Sequence, residues 1–174
     1  MLLYVIPTTF TRRSSRVHSK ESNMLQFTRI NSEKDFPATI SRSRFIDFLH
    51  THLGQYRDTS EAIALAIDYA FTTTVGKGGF LLLAHNNNEL IGAVVMNRTG
   101  MEGYIPENIL VYIAVDEKYR GQGFGRTIVE RIMSECEGAI ALHVEYDNPA
   151  RRLYERLGFS SKYAEMRYSP PTNS

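Results

Sequence analysis

The chain has 174 residues, of which 43% are hydrophobic and 22% are charged. This composition is that of a soluble globular protein large enough to build one domain around an apolar core. The net charge of +1 gives no electrostatic reason to expect a nucleic-acid or membrane partner. Cys136 is the only cysteine, which excludes an internal disulfide and favours a reducing, cytoplasmic compartment.

Residues 1–23 differ in composition from the rest of the chain. They combine a short apolar stretch with four basic side chains and the single acid Glu21. The apolar stretch is too short for a secretory signal, and the basic residues follow it rather than precede it. Their Arg and Ser content has features of an organelle transit peptide, but a disordered leader, or an upstream extension with Met24 as the natural start, is the simpler interpretation. We therefore predict a single domain over residues 24–174.

The first half of this domain is predicted from periodicity and turn residues. Apolar side chains at helical spacing indicate helices over 41–56 and 59–73. The second helix is expected to begin with a capping box formed by Asp58 and Glu61. Three strands are predicted from β-rich runs, the last two joined by a polar turn, over 25–30, 80–84 and 89–96.

The most informative stretch begins with the apolar run Ile109–Val115, whose β-branched residues indicate a strand covered on both faces. A charged turn follows, and glycines then alternate at 121, 123 and 125 before a helical period begins. Glycine lets the backbone present several N–H groups to one oxygen-rich ligand, and the helix adds its own unpaired N–H groups and the positive end of its dipole. We predict an anion cradle with phosphate as its ligand.

Two common phosphate-binding motifs do not match this stretch. A dinucleotide fingerprint needs a glycine where Arg126 stands. The chain also lacks a P-loop motif. That motif ends in a lysine followed by Ser or Thr, whereas Lys77 is followed by Gly78. A nucleotide-dependent phosphotransferase is therefore disfavoured.

The chain after this helix is predicted to hold a strand, a short helix and a last strand. The strand covers Ala139–Glu145, and the helix begins at Asn148-Pro149, which are good capping and first-turn residues, and ends at Leu157. The last strand is predicted over 163–168. The resulting order, β-αα-β-β-β-α-β-α-β, describes a mixed sheet with helices on its faces.

Two motifs together resemble the signatures of the GCN5-related N-acetyltransferase (GNAT) superfamily. The first is Arg120-x-x-Gly123-x-Gly125 after the apolar strand, and the second is the run NPARRLYERLGF over 148–159. The resemblance covers residues 24–168. It implies an α/β (α+β) fold, with a mixed central sheet of about six to seven strands flanked by about four helices.

The resemblance also implies that acetyl-CoA binds where the central strand separates from the next strand. Its pyrophosphate would lie on the backbone N–H groups of Gly121 to Arg126, within residues 120–126, here called the Gly loop. Its pantetheine would pair with the edge of the strand at Ile113 to Val115. The same edge would offer an N–H to the oxyanion of the reaction. The residues implied in acetyl-CoA binding are Ile113, Ala114, Val115, Arg120, Gly121, Gln122, Gly123, Phe124, Gly125, Arg126, Asn148 and Tyr154.

Asn148 departs from the family pattern. The family places its asparagine three residues before the alanine, whereas Asn148 precedes Ala150 by only two and Asp147 occupies the expected position. Either the loop is one residue shorter, or Asp147 takes over part of the role.

Tyr154 occupies the position of a tyrosine that protonates the departing sulfur in many family members, which makes it the expected general acid. The general base is left open: Glu107 and His143 are the main candidates, and Glu145, on the same strand as His143, and a water chain are the others. Direct attack by the amine requires no enzyme nucleophile, so Cys136 is expected to be a packing residue. No metal site is predicted, because the two histidines of the first helix, at 50 and 52, point to different faces.

The activity that the resemblance implies is transfer of the acetyl group of acetyl-CoA directly to a primary amine through a ternary complex. The acceptor stays open between a small molecule and a peptide, with contacts expected from 45–56, 98–106 and 163–168. A homodimer is also left open. The alternative is a non-catalytic acyl-CoA-binding regulatory module on the same fold, since the Gly loop is common to both.

Overall fold

The computed structural model describes residues 25–86 and 89–170, so the expectations for the leader, for Met24 and for part of the hairpin turn lie outside the described residues. Within these ranges no helix is long and apolar enough to cross a membrane. The helices and strands are, in chain order, β1 (Gln26–Ile30), α1 (Arg42–His52), α2 (Ser60–Ala70), β2 (Gly79–Asn86), β3 (Glu89–Arg98), β4 (Asn108–Val115), α3 (Phe124–Glu135), β5 (Ile140–Leu142) and α4 (Arg151–Arg156).

The strands form one sheet in the order β1-β2-β3-β4-β5. The pairs from β1 to β4 are antiparallel, whereas β5 lies parallel to β4 because the chain crosses over through α3. The mixed α/β architecture predicted from the sequence is confirmed. The described part of the chain has five strands in the sheet, not six or seven.

Helices cover both faces of the sheet. α1 and α2 bury Phe45 and Ile67 against one face, and α3 and α4 bury Ile128 and Tyr154 against the other. β4 contributes side chains to both clusters, as predicted for a strand covered on both faces. Two different ligands could therefore contact β4, one from each face of the sheet.

β4 carries a bulge at Val111. Val95 of β3 pairs with Tyr112, whereas the next residue, Met96, pairs with Leu110, so Val111 is the extra residue. Val111 and Tyr112 both pack toward α1 and α2, while Leu110 packs toward α3 and α4. The bulge therefore reverses the alternation of the strand beyond it.

β4 and β5 separate at the end next to the Gly loop. Asn108, Ile109 and Leu110 pair with the three residues of β5, and no further pairs follow. The rest of β4, up to Val115, pairs with β3 alone and leaves its other edge open. β5 was predicted to continue to Glu145, but it ends where this separation begins.

The last strand predicted over 163–168 is absent from the described residues, so that prediction was wrong. Tyr163, Met166 and Tyr168 are 79%, 94% and 85% exposed. Met166 lies three positions after Tyr163, an odd offset, so a strand would direct the two side chains to opposite faces. No single buried face could therefore cover this segment.

The start of α2 also differs from the prediction. Thr59, not Asp58, is the N-cap, and its Oγ1 accepts the N–H of Ala62 at 3.2 Å. The carboxylate of Asp58 instead accepts the hydroxyl of Tyr112 at 2.7 Å. The cap prediction was wrong by one residue, because the adjacent threonine fills the same role and leaves the aspartate free to point toward β4.

An ion-pair cluster joins the end of α3 to β1. Nη1 of Arg29 donates to Oε2 of Glu135 at 2.7 Å, and Arg131 donates to the other carboxylate oxygen. Burial alone would raise the pKa of Glu135, but the hydrogen bonds from the two arginines hold it below the usual value of 4.5. The cluster therefore stabilises the ionised carboxylate.

We expect Glu135→Gln to lower the free energy of unfolding by about 1–3 kcal/mol at pH 7, because two arginines lose their carboxylate. The folded-state pKa lies below the unfolded value, so this stabilisation is present above about pH 4.5 and is lost as the pH falls. Urea unfolding at pH 7 and pH 4 measures the change, with the exposed Glu130→Gln on the same helix as the control. An equal loss at both pH values would contradict the assignment.

Candidate active site

The Gly loop connects β4 to α3 in a shape that glycine favours. Gly121 has a φ of 74° and Gly123 a φ of 89°, both in the left-handed region. A Cβ atom placed on either residue would meet no heavy atom within 4 Å. The space above the main chain is therefore open to a ligand.

The backbone of the loop has spare hydrogen-bond donors. Among the described residues, none accepts a hydrogen bond from the N–H groups between Gly121 and Arg126. Gly123 is the N-cap of α3 and has no side chain that could accept a hydrogen bond from these N–H groups. With the positive end of the helix dipole, this cradle suits a phosphate or pyrophosphate group, so the residues present fit the pyrophosphate of acetyl-CoA.

The long side chains of the loop are engaged within the protein. Arg120 donates through Nε to the carbonyl oxygen of Val115 at 3.2 Å and through Nη2 to the carbonyl oxygen of His52. Gln122 and Arg126 are also hydrogen-bonded, each to a residue four positions away in the chain. The backbone therefore makes the cradle, while Arg120 joins the end of α1 to it.

β4 presents its open edge beside this cradle. The N–H of Asp116 donates to the carbonyl oxygen of Ile91 on β3 at 2.9 Å. Strand alternation therefore directs the main-chain groups of Ala114 toward β3 and those of Ile113 and Val115 toward the open edge. The two edge residues leave their N–H groups available for a ligand.

Tyr154 is only 8% exposed and packs edge-on against Phe159, with ring centroids 5.8 Å apart. Its hydroxyl donates a hydrogen bond to no described residue. Every fully buried polar side-chain atom of the described residues has a hydrogen-bond partner, so this hydroxyl must reach the protein surface. Burial raises the pKa of Tyr154 to about 12, which keeps the phenol protonated at neutral pH. The neighbouring Leu153 has its Cδ2 3.4 Å from the Cβ position of Gly125, so α4 lies against the start of α3.

The two base candidates lie at different ends of the sheet. Glu107 precedes β4 at the end away from the Gly loop, where its Oε2 accepts the N–H of Ala139 at 2.6 Å. This and other backbone hydrogen bonds hold the pKa of Glu107 below its usual value. His143 follows β5 directly, where β5 leaves β4, and it is exposed and close enough to Glu165 for their charges to interact.

Asn148 and Asp147 lie in the connection before α4. Oδ1 of Asn148 accepts the N–H of Ala150 at 2.9 Å, and the regular helix begins at Arg151, later than predicted. The exposed Asp147 accepts the hydroxyl of Tyr56 at its carbonyl oxygen, at 3.5 Å. The side-chain amide nitrogen of Asn148 makes no hydrogen bond to a described residue.

Sequence reasoning missed the pair formed by Asp58 and Tyr112, which lies on the α1 and α2 side of the open edge. The residues are 54 positions apart, so no local pattern joins them. The available signal was Tyr112 itself, a phenol within the otherwise apolar run Ile109–Val115.

Residues 77–161 match the model of a family described as Acetyltransferase (GNAT) domain. The chain is 36% identical over 74 residues to [Ribosomal protein bS18]-alanine N-acetyltransferase of Escherichia coli (strain K12), covering 40% of this chain and 50% of that protein. It is 32% identical over 94 residues to N-alpha-acetyltransferase 30 of Schizosaccharomyces pombe, covering 51% of this chain and 63% of that protein. The chain thus spans about half the length of the Escherichia coli relative.

Solved structures agree with the family match. A predicted acetyltransferase with acetyl-CoA from Clostridium acetobutylicum superposes with a TM-score of 0.55 at 14% identity, covering 83% of this chain and 96% of that chain. The ribosomal-protein-S18-alanine N-acetyltransferase from Escherichia coli gives 0.54 at 19% identity, covering 85% and 86%. At these identities the superpositions show the fold alone. With the family match, the chain has the GNAT fold, and its residues 77–161 are a GNAT acetyltransferase domain.

Proposed function

We propose that this chain is an N-acetyltransferase that moves the acetyl group of acetyl-CoA directly to a primary amine in a ternary complex. The observation that carries the proposal is the run of unpaired N–H groups from Gly121 to Arg126 beside the open edge of β4. The first feature suits a pyrophosphate, and the second suits an extended amide chain such as pantetheine.

The chemistry follows from these groups. Acetyl-CoA supplies an acetyl group activated as a thioester, and an N–H at the open edge, from Ile113 or Val115, donates to its carbonyl oxygen and stabilises the developing negative charge. The amine nitrogen forms the new C–N bond as the C–S bond breaks. The amine proton passes to the general base, the sulfur takes the proton of Tyr154, and the proton on the base returns through solvent to the Tyr154 phenolate. Burial raises the pKa of the Cys136 thiol, which fits a packing residue rather than a nucleophile.

Tyr154 is the general acid in this proposal. Its pKa of about 12 lies above that of a free thiol, which is near 8.5 in cysteine. Burial would also raise the pKa of a thiol in the cleft, as it does for Cys136, so the difference there is smaller than that between about 12 and about 8.5.

We assign the general base to His143 rather than to Glu107. His143 stands where β5 leaves β4, whereas the carboxylate of Glu107 is held by the backbone of Ala139 at the other end of β4. A base must lie within hydrogen-bond reach of the amine, directly or through one water. Glu107 would be separated from an amine at the open edge by the length of the strand.

We expect His143→Gln to lower kcat at pH 7 by about 10- to 100-fold while leaving acetyl-CoA affinity unchanged, because only the proton acceptor is lost. The wild-type kcat should rise with pH as the general base loses its proton, and the variant should lose that rise. A pH–rate profile with a saturating amine measures this. The competing variant is Glu107→Gln, and loss of the rise in that variant instead would reverse the assignment.

The acceptor class is inferred from the names of the relatives. One acts on an alanine of ribosomal protein bS18, and the other is an N-alpha-acetyltransferase. We infer that the acceptor here is the α-amine of a protein or peptide rather than a small molecule. The cytoplasmic compartment favoured by the single cysteine stays a prediction.

The proposed function is tested by acetyl-CoA-dependent release of free thiol, measured with peptides carrying different N-terminal residues and with polyamines and aminoglycosides. Acetyl-CoA binding is measured by calorimetry in the same buffer. Peptide-dependent thiol release supports the proposal, and release with small amines alone would contradict the acceptor class. Tight binding without turnover on any amine would favour the non-catalytic acyl-CoA-binding module.

A further inference from the structure

The connection between α1 and α2 places a carboxylate on the α1 and α2 side of β4, against Tyr112, whose neighbour Ile113 lies on the open edge. Asp58 is exposed, and Thr59 has taken the capping role that the aspartate could have had. Its Oδ2 accepts the hydroxyl of Tyr112 at 2.7 Å, while Oδ1 accepts no hydrogen bond from a described residue. One oxygen is thus fixed by the protein, and the other is free for a ligand.

The position of this carboxylate follows from the bulge in β4. The bulge at Val111 directs the side chain of Tyr112 toward α1 and α2, away from the face covered by α3 and α4. The next residue, Ile113, has its N–H on the open edge where we place the thioester carbonyl. A cofactor held at the start of α3 leaves the α1 and α2 side for the second substrate.

The charge of the pair is well defined. Burial, the hydrogen bond to Asp58 and the charge of Asp58 all raise the pKa of Tyr112 above its ordinary value, so the phenol stays a neutral donor. The pair therefore carries one negative charge. Arg167 lies near enough to interact with Asp58, but its Nε donates to Glu165, which offsets its charge.

We propose that Asp58, oriented by Tyr112, binds the ammonium group of the acceptor before its deprotonation, which makes this chain selective for cationic amines. The assignment rests on the proposed function and deepens it by naming an acceptor-binding residue. An α-amine is largely protonated at neutral pH, and a carboxylate with one fixed oxygen offers it a charge-assisted hydrogen bond. Asp58 binds substrate in the ground state, so its loss acts on KM more than on kcat.

The test uses two peptides with coenzyme A, which fills the cofactor site without supplying an acetyl group. One octapeptide begins with alanine, and the other has a propionyl group in place of that alanine and so lacks only the ammonium. Calorimetry on the coenzyme A complex should show that wild-type protein binds the alanyl peptide about three- to fivefold more tightly, as expected for an exposed ion pair. The preference should shrink with added salt.

Asp58→Asn keeps the shape of the side chain and removes its charge, so we expect it to abolish this preference. Asp68→Asn, on the exposed side of α2 and outside the segments expected to contact the acceptor, changes the net charge equally and should retain it. Tyr112→Phe keeps the charge of Asp58 but removes the hydroxyl that holds one of its carboxylate oxygens. We therefore expect it to reduce, but not abolish, the preference for the alanyl peptide. Coenzyme A affinity serves as the folding control for every variant.

Two results would overturn the assignment. One is an Asp58→Asn protein that keeps the wild-type preference, and the other is a wild-type protein that does not distinguish the peptides. Both leave the Gly loop assignment intact if coenzyme A binds normally. A wild-type protein that binds no coenzyme A would instead contradict the proposed function, and the acceptor assignment with it.

Discussion

Gly123→Glu is expected to weaken acetyl-CoA binding by at least about 100-fold, a loss of about 2.7 kcal/mol. Gly123 has a φ of 89° and open space where its Cβ would lie, directly at the start of α3. A glutamate there fills that space and brings a negative charge to the N–H groups that would hold the pyrophosphate. Calorimetric titration with acetyl-CoA measures the change.

The control for this variant must carry the same backbone strain and charge elsewhere. Gly103 has a φ of 82°, is also open at its Cβ position and lies in the loop before β4, away from the Gly loop. Gly103→Glu should therefore lose comparable stability in urea unfolding and keep acetyl-CoA affinity. An affinity for acetyl-CoA in Gly123→Glu equal to that of wild type would show that the cradle does not hold the pyrophosphate.

Tyr154→Phe is expected to lower kcat by about 100-fold with less than about a threefold change in acetyl-CoA affinity. The substitution removes only the hydroxyl, which has no hydrogen-bond partner among the described residues. The ring keeps its contact with Phe159, so folding should be unaffected. In the proposed mechanism the step that should slow is proton donation to the departing sulfur.

The pH dependence gives an independent check on the same residue. With a pKa of about 12 in the folded protein, Tyr154 remains protonated well above pH 10, so the wild-type rate should not fall between pH 8 and 10 through loss of this proton. Because the folded pKa exceeds the ordinary value of 10, its stabilising effect is complete below about pH 10 and is lost toward pH 12. The phenylalanine variant should unfold less readily than wild type over that range.

Steady-state kinetics with a saturating peptide separates the two parameters, and Tyr69→Phe is the matched control. Tyr69 lies on α2, outside the segments expected to contact the acceptor, and its hydroxyl donates to the carbonyl oxygen of Arg98 at 2.9 Å, so its loss should not matter for turnover. A Tyr154→Phe enzyme with normal kcat and a raised KM for acetyl-CoA would assign Tyr154 to binding and leave the acid unidentified.

The separation of β4 from β5 shows how far sequence patterns reach. The apolar run to Val115 predicts the strand, and the strand is there. The bulge at Val111 carries no sequence signal, because it arises from the register between β3 and β4. Yet this bulge decides that Ile113 and not Ala114 presents its N–H at the open edge.

The proposed general base was also chosen from tertiary structure rather than from sequence order. Sequence order places Glu107 and His143 on either side of the Gly loop and favours neither. Parallel pairing of β4 with β5 puts His143 at the open edge and ties Glu107 to Ala139 at the other end. The prediction of a last strand over 163–168 was wrong for a related reason, because a strand needs a pairing partner as well as a suitable composition.

The Gly loop and the elements on either side of it can be predicted from local sequence. Alternating glycines, an apolar run before them and a helical period after them act within a few residues, so local backbone preferences are enough. The side chains that meet beside the open edge cannot be predicted in this way. Tyr112 and Asp58 come together through sheet register and helix packing, which depend on contacts between distant parts of the chain.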